Sequence, residues 1–298
     1  MASNQLKQNM TVKKIKRFTS NFHRYEINSE NHKYETEILF TSDWHFDNPK
    51  TNRKMIFNHL DEAKLRNELI VINGDLLCLM QGKYDPRGSK SSIRPEHNGD
   101  NYLDLVINDT AEKLVPYAHL ILQINQGNHE TSVSKRSETN VLERLVERLN
   151  AIANSKIQLG AYMGFINVNL GKGYGNNRTF NIAYSHGNWG GIVTKGVLSV
   201  NRDAAIMDNV DIMISGHTHD RWIVELNRLI PDPLRGRVIN KSQFHVKTGT
   251  YKEEFESGKG WAVERIGTPK SLGSVFCKVF YSQKQDLELE FTPTRQYY

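Results

Sequence analysis

Cysteine is scarce in this chain: Cys78 and Cys277 are the only two in 298 residues. Two thiols cannot build a disulfide framework and fit no Cys-x-x-Cys metal pattern, so core packing in a reducing, cytoplasmic compartment is expected for them. No apolar stretch approaches the roughly 18 to 20 residues of a membrane span. The opening, MASNQLKQNMTVKKIKRF, lacks the apolar h-region of a secretory leader. A soluble protein with no membrane partner is the expectation. Pro-rich and Gly/Ser-rich linkers and internal repeats are also lacking, which favours one domain. Acidic residues are absent from positions 1–24, where Lys7, Lys13, Lys14, Lys16, Arg17 and Arg24 accumulate. Residues 1–33 are therefore expected to form a basic N-terminal arm, either solvated or tracking a phosphate backbone, ahead of a domain at 34–298. The whole chain has 39 Lys plus Arg against 33 Asp plus Glu, a formal charge of +6 that favours anionic partners.

What is present alternates between buried-strand and helix signatures, an α/β pattern. Apolar runs at Glu37–Thr41, Leu69–Ile72 and Leu120–Ile124 read as buried strands. Asn48-Pro49 reads as an N-cap with proline at N1, opening a helix through about Arg66. Helical spacing recurs at Leu103, Val106, Ile107 and Leu114 and at Val141, Leu142, Leu145, Val146 and Leu149. Strands are expected at Gly164–Asn169, Thr179–Tyr184 and Asp211–Ile214. The chain beyond Asp220 reads as β-rich without a helix, including an alternating run at Val275–Leu289. The connection from Gln81 to Asn101, long and mixed in charge, is a candidate substrate rim.

The chemistry-bearing residues cluster directly after these strands: Asp43-Trp44-His45, Gly74-Asp75, Gly127-Asn128-His129-Glu130, Ser185-His186 and Gly216-His217-Thr218-His219. In an α/β sheet ligands bind outside the carboxyl ends of the strands, so these segments should converge. Two carboxylates, an amide oxygen and four imidazoles in one pocket need a cation to hold them together. Mixed nitrogen and oxygen ligation suits first-row divalent ions such as Mn, Fe, Zn, Ni or Co better than Ca or Mg. Seven groups exceed one such ion, so two divalent metal ions are implied, with the Asp75 carboxylate able to bridge. A metal pair about 3.5 to 4 Å apart is a phosphoryl-transfer clamp that makes water nucleophilic at neutral pH. His129, adjacent to a ligand but not needed as one, is the natural general acid or electrostatic stabiliser. Trp44, Trp189 and Trp222 are expected to pack, with stacking of a base at the rim as the alternative.

The ordered series Asp-x-His, Gly-Asp, Gly-Asn-His-Glu, His and Gly-His-x-His, from Asp43 to His219, resembles the calcineurin-like metallophosphoesterase superfamily. That resemblance implies an α/β fold of two packed mixed β-sheets flanked by helices, a four-layer sandwich. It implies one metal on Asp43, His45, Asp75 and His219, a second on Asp75, Asn128, His186 and His217, and His129 as the catalytic histidine. The stretch Thr41-Ser42-Asp43-Trp44-His45 looks like the opening motif of the repair-exonuclease branch, whose members degrade DNA with two Mn ions. A phosphodiesterase acting on nucleic acid or a nucleotide is the resulting expectation. The alternatives are a phosphomonoesterase of nucleotides or proteins and a non-catalytic, metal-stapled nucleic-acid-binding module. Protein serine/threonine phosphatases share Gly-Asn-His-Glu but carry a Gly-Asp-x-x-Asp-Arg-Gly box, whereas this chain reads Gly74-Asp75-Leu76-Leu77-Cys78-Leu79-Met80.

Overall fold

The computed structural model describes residues 11–28, 34–80, 93–171, 177–187, 194–255, 261–264, 266–282 and 286–296. The apolar runs at β3 (Glu35–Thr41), β4 (Leu69–Asn73) and β5 (Ile121–Asn125) lie side by side and parallel. They form the middle of a six-stranded sheet that β6 (Gln158–Gly160) closes at one edge, with β12 (Val275–Tyr281) and β13 (Leu287–Pro293) at the other. A second, seven-stranded sheet has the order β1 (Thr11–Thr19), β2 (Phe22–Asn28), β7 (Met163–Gly171), β8 (Asn177–Ser185), β9 (Ile212–Ser215), β11 (Arg237–Lys247), β10 (Trp222–Asp232). Both sheets mix parallel and antiparallel pairs, as expected.

Burial follows from strand periodicity. The residues Ile38, Phe40, Val71 and Leu122 point from one sheet at Ile166, Val168, Ile182 and Ile214 of the other, forming a core between the sheets. Leu39, Ile70, Ile72 and Ile124 point the opposite way. They pack under α1 (Arg53–Arg66), α2 (Tyr102–Leu114) and α4 (Val141–Ala153) in a second core. A small cluster of Ala183, Met207, Val210 and Met213 lies on the outer side of the seven-stranded sheet, next to α5 (Ser199–Ile206). The order helix, sheet, sheet, helix is the expected four-layer sandwich.

Three sequence expectations change. Residues 11–28 are two strands of the larger sheet rather than an arm ahead of it: β2 pairs with β7 from Phe22↔Phe165 to Asn28↔Gly171, and Tyr25 and Ile27 are in the core. The first helix starts at Arg53, where the Asn52 side chain accepts the Met55 N–H. Asn48-Pro49 instead belongs to a turn held by Thr51, whose hydroxyl donates to the carbonyls of Trp44 and His45. The β-rich C-terminal part carries a helical turn, α6 (Trp261–Glu264). Of the expected rim, residues 81–92 lie outside the described residues, as does Trp189. The rim's last part, a 3-10 turn at Pro95–His97, is tied down by Arg94, which donates to the Asn48 and Thr51 carbonyls at 3.1 and 3.0 Å. Trp44 is fully buried, a packing residue rather than a stacking platform.

Candidate metal centre

The parallel strands β3, β4 and β5 end together at Thr41, Asn73 and Asn125, and β8 and β9 end together at Ser185 and Ser215. The loops leaving these five ends meet across the top of the sandwich. They turn sharply: Asp43, His45, Asp75, His217 and His219 all have φ between 46° and 71°, a left-handed conformation that non-glycine residues adopt at a cost. The glycines in the motifs serve close approach. A Cβ on Gly74, whose φ is +85°, would lie 2.4 Å from His186 Nδ1, and one on Gly127 would lie 2.2 Å from Asp75 Oδ1. Gly127 also precedes α3 (Asn128–Ser137), a helix that the sequence reading did not place and that begins on Asn128 and His129 themselves.

The eight residues expected at the site are brought together. Asp43, His45 and His219 converge in one group able to hold a metal ion, and Asp75, His186 and His217 in another. In the first, His219 Nε2 is 3.4 Å from Asp43 Oδ1 and 3.1 Å from His45 Nε2. In the second, His186 Nε2 is 3.1 Å from Asp75 Oδ2, and His217 Nδ1 is 2.8 Å from Asn128 Oδ1. A separation of 3.9 Å between His186 Nε2 and Asp43 Oδ1 links the two groups. His129 stands beside both: its Nε2 is 3.8 Å from Asp75 Oδ2, and its ring is 4.8 Å from that of His45.

Electrostatics describe a set of donors waiting for positive charge. Burial opposes ionisation of Asp75, yet the imidazoles of His186 and His129 hold its carboxyl well below the usual range. Burial likewise disfavours a charged His186, but the carboxylates of Asp75 and Asp43 outweigh it and push the ring up to about 10. His45, buried among other imidazoles, is driven well below its ordinary value. The ring of His186 donates from Nδ1 to the Asn73 carbonyl at 2.9 Å, which leaves Nε2 facing the carboxylates. Both His186 Nε2 and His45 Nδ1 are buried without an aligned hydrogen-bond partner. The orphaned His186 Nε2, 3.1 Å from the Asp75 carboxylate and 3.9 Å from that of Asp43, fits a divalent cation.

The calcineurin-like phosphoesterase profile matches residues 36–221, which contain every one of these groups. This chain belongs to that family. No curated protein sequence matches it. Among solved structures it is similar to Vps29 of Chaetomium thermophilum, at 10% identity over 87% of this chain and 97% of that one, with a TM-score of 0.32. It is also similar to GAP50 of Plasmodium, an anchor in the inner membrane complex, at 12% identity over 88% and 90% of the two chains, with a TM-score of 0.35.

Around the family's motif, several residues set its geometry in roles that the sequence does not announce. Glu130, fully buried, accepts the backbone N–H groups of Asp75, Leu77 and Gly127 at 3.2, 2.9 and 2.9 Å, fastening the second loop to the third. Asn73 donates to the Ser185 carbonyl at 3.0 Å and accepts from Asn125, which in turn accepts from Gln123. This buried amide ladder joins the two sheets directly beneath His186. Its signal was the polar residues inside the apolar runs Leu69–Asn73 and Ile121–Asn125. Lys247, 3% exposed, donates to the Gly216 carbonyl at 2.9 Å and supports the Gly-His-x-His turn. Cys78 does more than pack: its carbonyl accepts His129 Nδ1 at 2.5 Å. Burial and the nearby Asp47 push its thiol up to about 12, which keeps it a neutral neighbour.

A further cluster, Glu96, His97 and Asp109, has metal-like spacing. Arg53 pairs with both of its carboxylates, at 3.2 and 2.8 Å, so the guanidinium already supplies the positive charge there. It braces the 93–97 segment against α1.

Proposed function

We propose that the protein is a phosphodiesterase that hydrolyses nucleic-acid or nucleotide phosphodiesters with two divalent ions, Mn the best suited. Asp43, His45, Asp75 and His219 would hold one ion, and Asp75, Asn128, His186 and His217 the other. The observation that carries this reading is His129. Its Nδ1–H donates to the Cys78 carbonyl and its Nε2 stands beside the two donor groups without being needed by either. A scaffold that used metals only as staples would have no use for that residue.

Ions bound there would acidify water for attack on phosphorus and draw charge from the phosphate oxygens. The chain's own residues do the rest. The Cys78 carbonyl accepts Nδ1–H and so orients the ring; in the imidazolium form Nε2–H faces the departing ester oxygen, and the leaving alkoxide takes that proton and leaves His129 neutral with its proton on Nδ1. The His129 backbone N–H donates to Asp75 Oδ1 at 3.0 Å, tying the acid's position to the carboxylate shared by both groups. Support for a phosphodiester comes from the Asp43-Trp44-His45 opening and the excess of Lys and Arg. His129→Ala should keep the fold and the metal content but lose roughly a hundredfold or more in kcat. Mn-loaded protein should cleave a bis-aryl phosphodiester in preference to the aryl monoester. The opposite preference would make it a phosphatase, and full activity of the variant would remove His129 from the reaction.

A further inference from the structure

Among the described residues, the outer face of the seven-stranded sheet carries an apolar cluster next to α5, and across β1 and β2 it has a different character. Register puts Lys14, Lys16, Phe22 and Arg24 on this face, because His23, Tyr25 and Ile27 point the other way into the core. Lys14, Lys16 and Phe18 are exposed, Phe18 by 41%. Phe18 and Phe22 stack with ring centroids 4.9 Å apart. Lys16 Nζ lies 4.6 Å from the Phe18 ring centroid and Arg24 Cζ 5.6 Å from it. Arg24 is oriented by a 2.8 Å hydrogen bond from Nε to Asn167 Oδ1 on β7. Glu26 lies opposite Lys14, at the end of β2 away from the turn. The two cations lie over a phenyl ring that is itself stacked on a second one, so aromatic surface and positive charge share one spot on the sheet.

The position of this patch is as informative as its composition. Phe22 pairs with Phe165, Phe165 with Ala183, and Met163 with Ser185. The β1–β2 turn therefore sits at the same end of the sheet as His186. At about 4.8 Å per strand, β1 is roughly 14 Å from β8 along that end. Tyr162 stands between, its hydroxyl donating to the Gly187 carbonyl at 2.7 Å and its ring 5.6 Å from that of His186.

We infer that Phe18, Phe22, Lys16 and Arg24 form a binding surface for single-stranded nucleic acid, which guides a strand toward the candidate metal centre. Phosphates draw the two cations off the Phe18 ring and a base stacks on the phenyl face they leave, a combination that duplexes cannot use because their bases are already stacked. Strand guidance rests on the phosphodiesterase reading. The binding surface itself does not.

The test is fluorescence anisotropy of the full-length protein with a labelled, hydrolysis-resistant phosphorothioate oligothymidylate. Bis-aryl phosphodiester hydrolysis is measured in parallel. Phe18→Ala should weaken binding about tenfold and Phe18→Trp should restore it. Lys16→Gln with Arg24→Gln should flatten the slope of log affinity against log salt by about 1.4, at ~0.7 per phosphate contact on a single strand. Hydrolysis of the small diester should stay unchanged in all of them, while KM for a cleavable oligonucleotide rises. Variants that bind like the wild type overturn the inference. So does a loss that appears only with duplex, with anionic vesicles, or in self-association. If the anisotropy losses appear but no diester is ever cleaved, the surface stands and the phosphodiesterase reading falls.

Discussion

Replacing Gly74 by alanine separates the geometry of the site from its list of ligands, because no ligand is changed. Gly74 sits at φ +85°, and an added Cβ would lie 2.4 Å from His186 Nδ1 and 2.9 Å from the Gly127 Cα. The left-handed backbone costs alanine about 1 to 2 kcal/mol, and overpacking adds about 1 to 3 kcal/mol. His186 cannot yield freely, since Nδ1 is bound to the Asn73 carbonyl and the ring lies between the two carboxylates. At about 2.1 cal/mol/K per residue, a cost of roughly 2 to 5 kcal/mol lowers Tm by about 3 to 8 °C in this 298-residue chain. A control isolates the backbone strain: Gly236 has φ +59° with nothing within 4 Å, so Gly236→Ala should cost only the left-handed penalty, about 2 to 3 °C. Calorimetry with elemental analysis reads both effects. Gly74→Ala should lose metal and activity beyond what its stability loss explains, and Gly236→Ala should lose neither. A Gly74→Ala protein with two metals per chain and wild-type turnover would refute the claim that close backbone packing at β4 aims His186.

Two predictions concern stability against pH. His23 is fully buried on β2 with neither ring nitrogen hydrogen-bonded, and burial, aided by Arg17, lowers its pKa to about 4. The folded chain therefore binds fewer protons than the unfolded one between about pH 6.5 and 4. About 3 kcal/mol present above that window should drain away as pH falls through it. Urea melts of His23→Phe should lack this acid dependence, and an unchanged profile would contradict the assignment. Glu68, buried beside Glu37, has its carboxyl pushed up to about 8 by burial and by that second acid, although Arg66 lies 3.2 Å away. Its contribution is whole below about pH 4.5 and lost as pH rises through 8. Glu68→Gln should accordingly raise Tm at pH 8.5 by a few degrees and leave it nearly unchanged at pH 4.5.

The convergence of the candidate site's residues is legible in the sequence because each motif follows a buried strand, and such strands announce themselves as short apolar runs. Asp43, Asp75 and Asn128 needed only the rule that strand ends converge. Other features depended on partners far along the chain. The strands β1 and β2 were obscured by their lysines and arginines, which cover the outward face, while the inward alternation of His23, Tyr25 and Ile27 makes sense only against β7, more than a hundred residues later. Helix α1 was started early at Asn48-Pro49 because that pair imitates a cap. The Thr51 hydroxyl diverts it into the loop that carries His45. The ladder of Gln123, Asn125 and Asn73 looked like polar ends of strands, and its role in joining two sheets is a tertiary fact. Gly127-Asn128-His129-Glu130 was recognised as chemistry but not as a helix start, since a buried glutamate as cap needs the turn of Asp75 to be in place.

Anomalous diffraction from crystals of the manganese-loaded protein tests the account most directly. It should show two peaks, one among Asp43, His45, Asp75 and His219 and one among Asp75, Asn128, His186 and His217, with His129 bound to neither. Empty density at these residues, or manganese held instead by Glu96, His97 and Asp109, would contradict it.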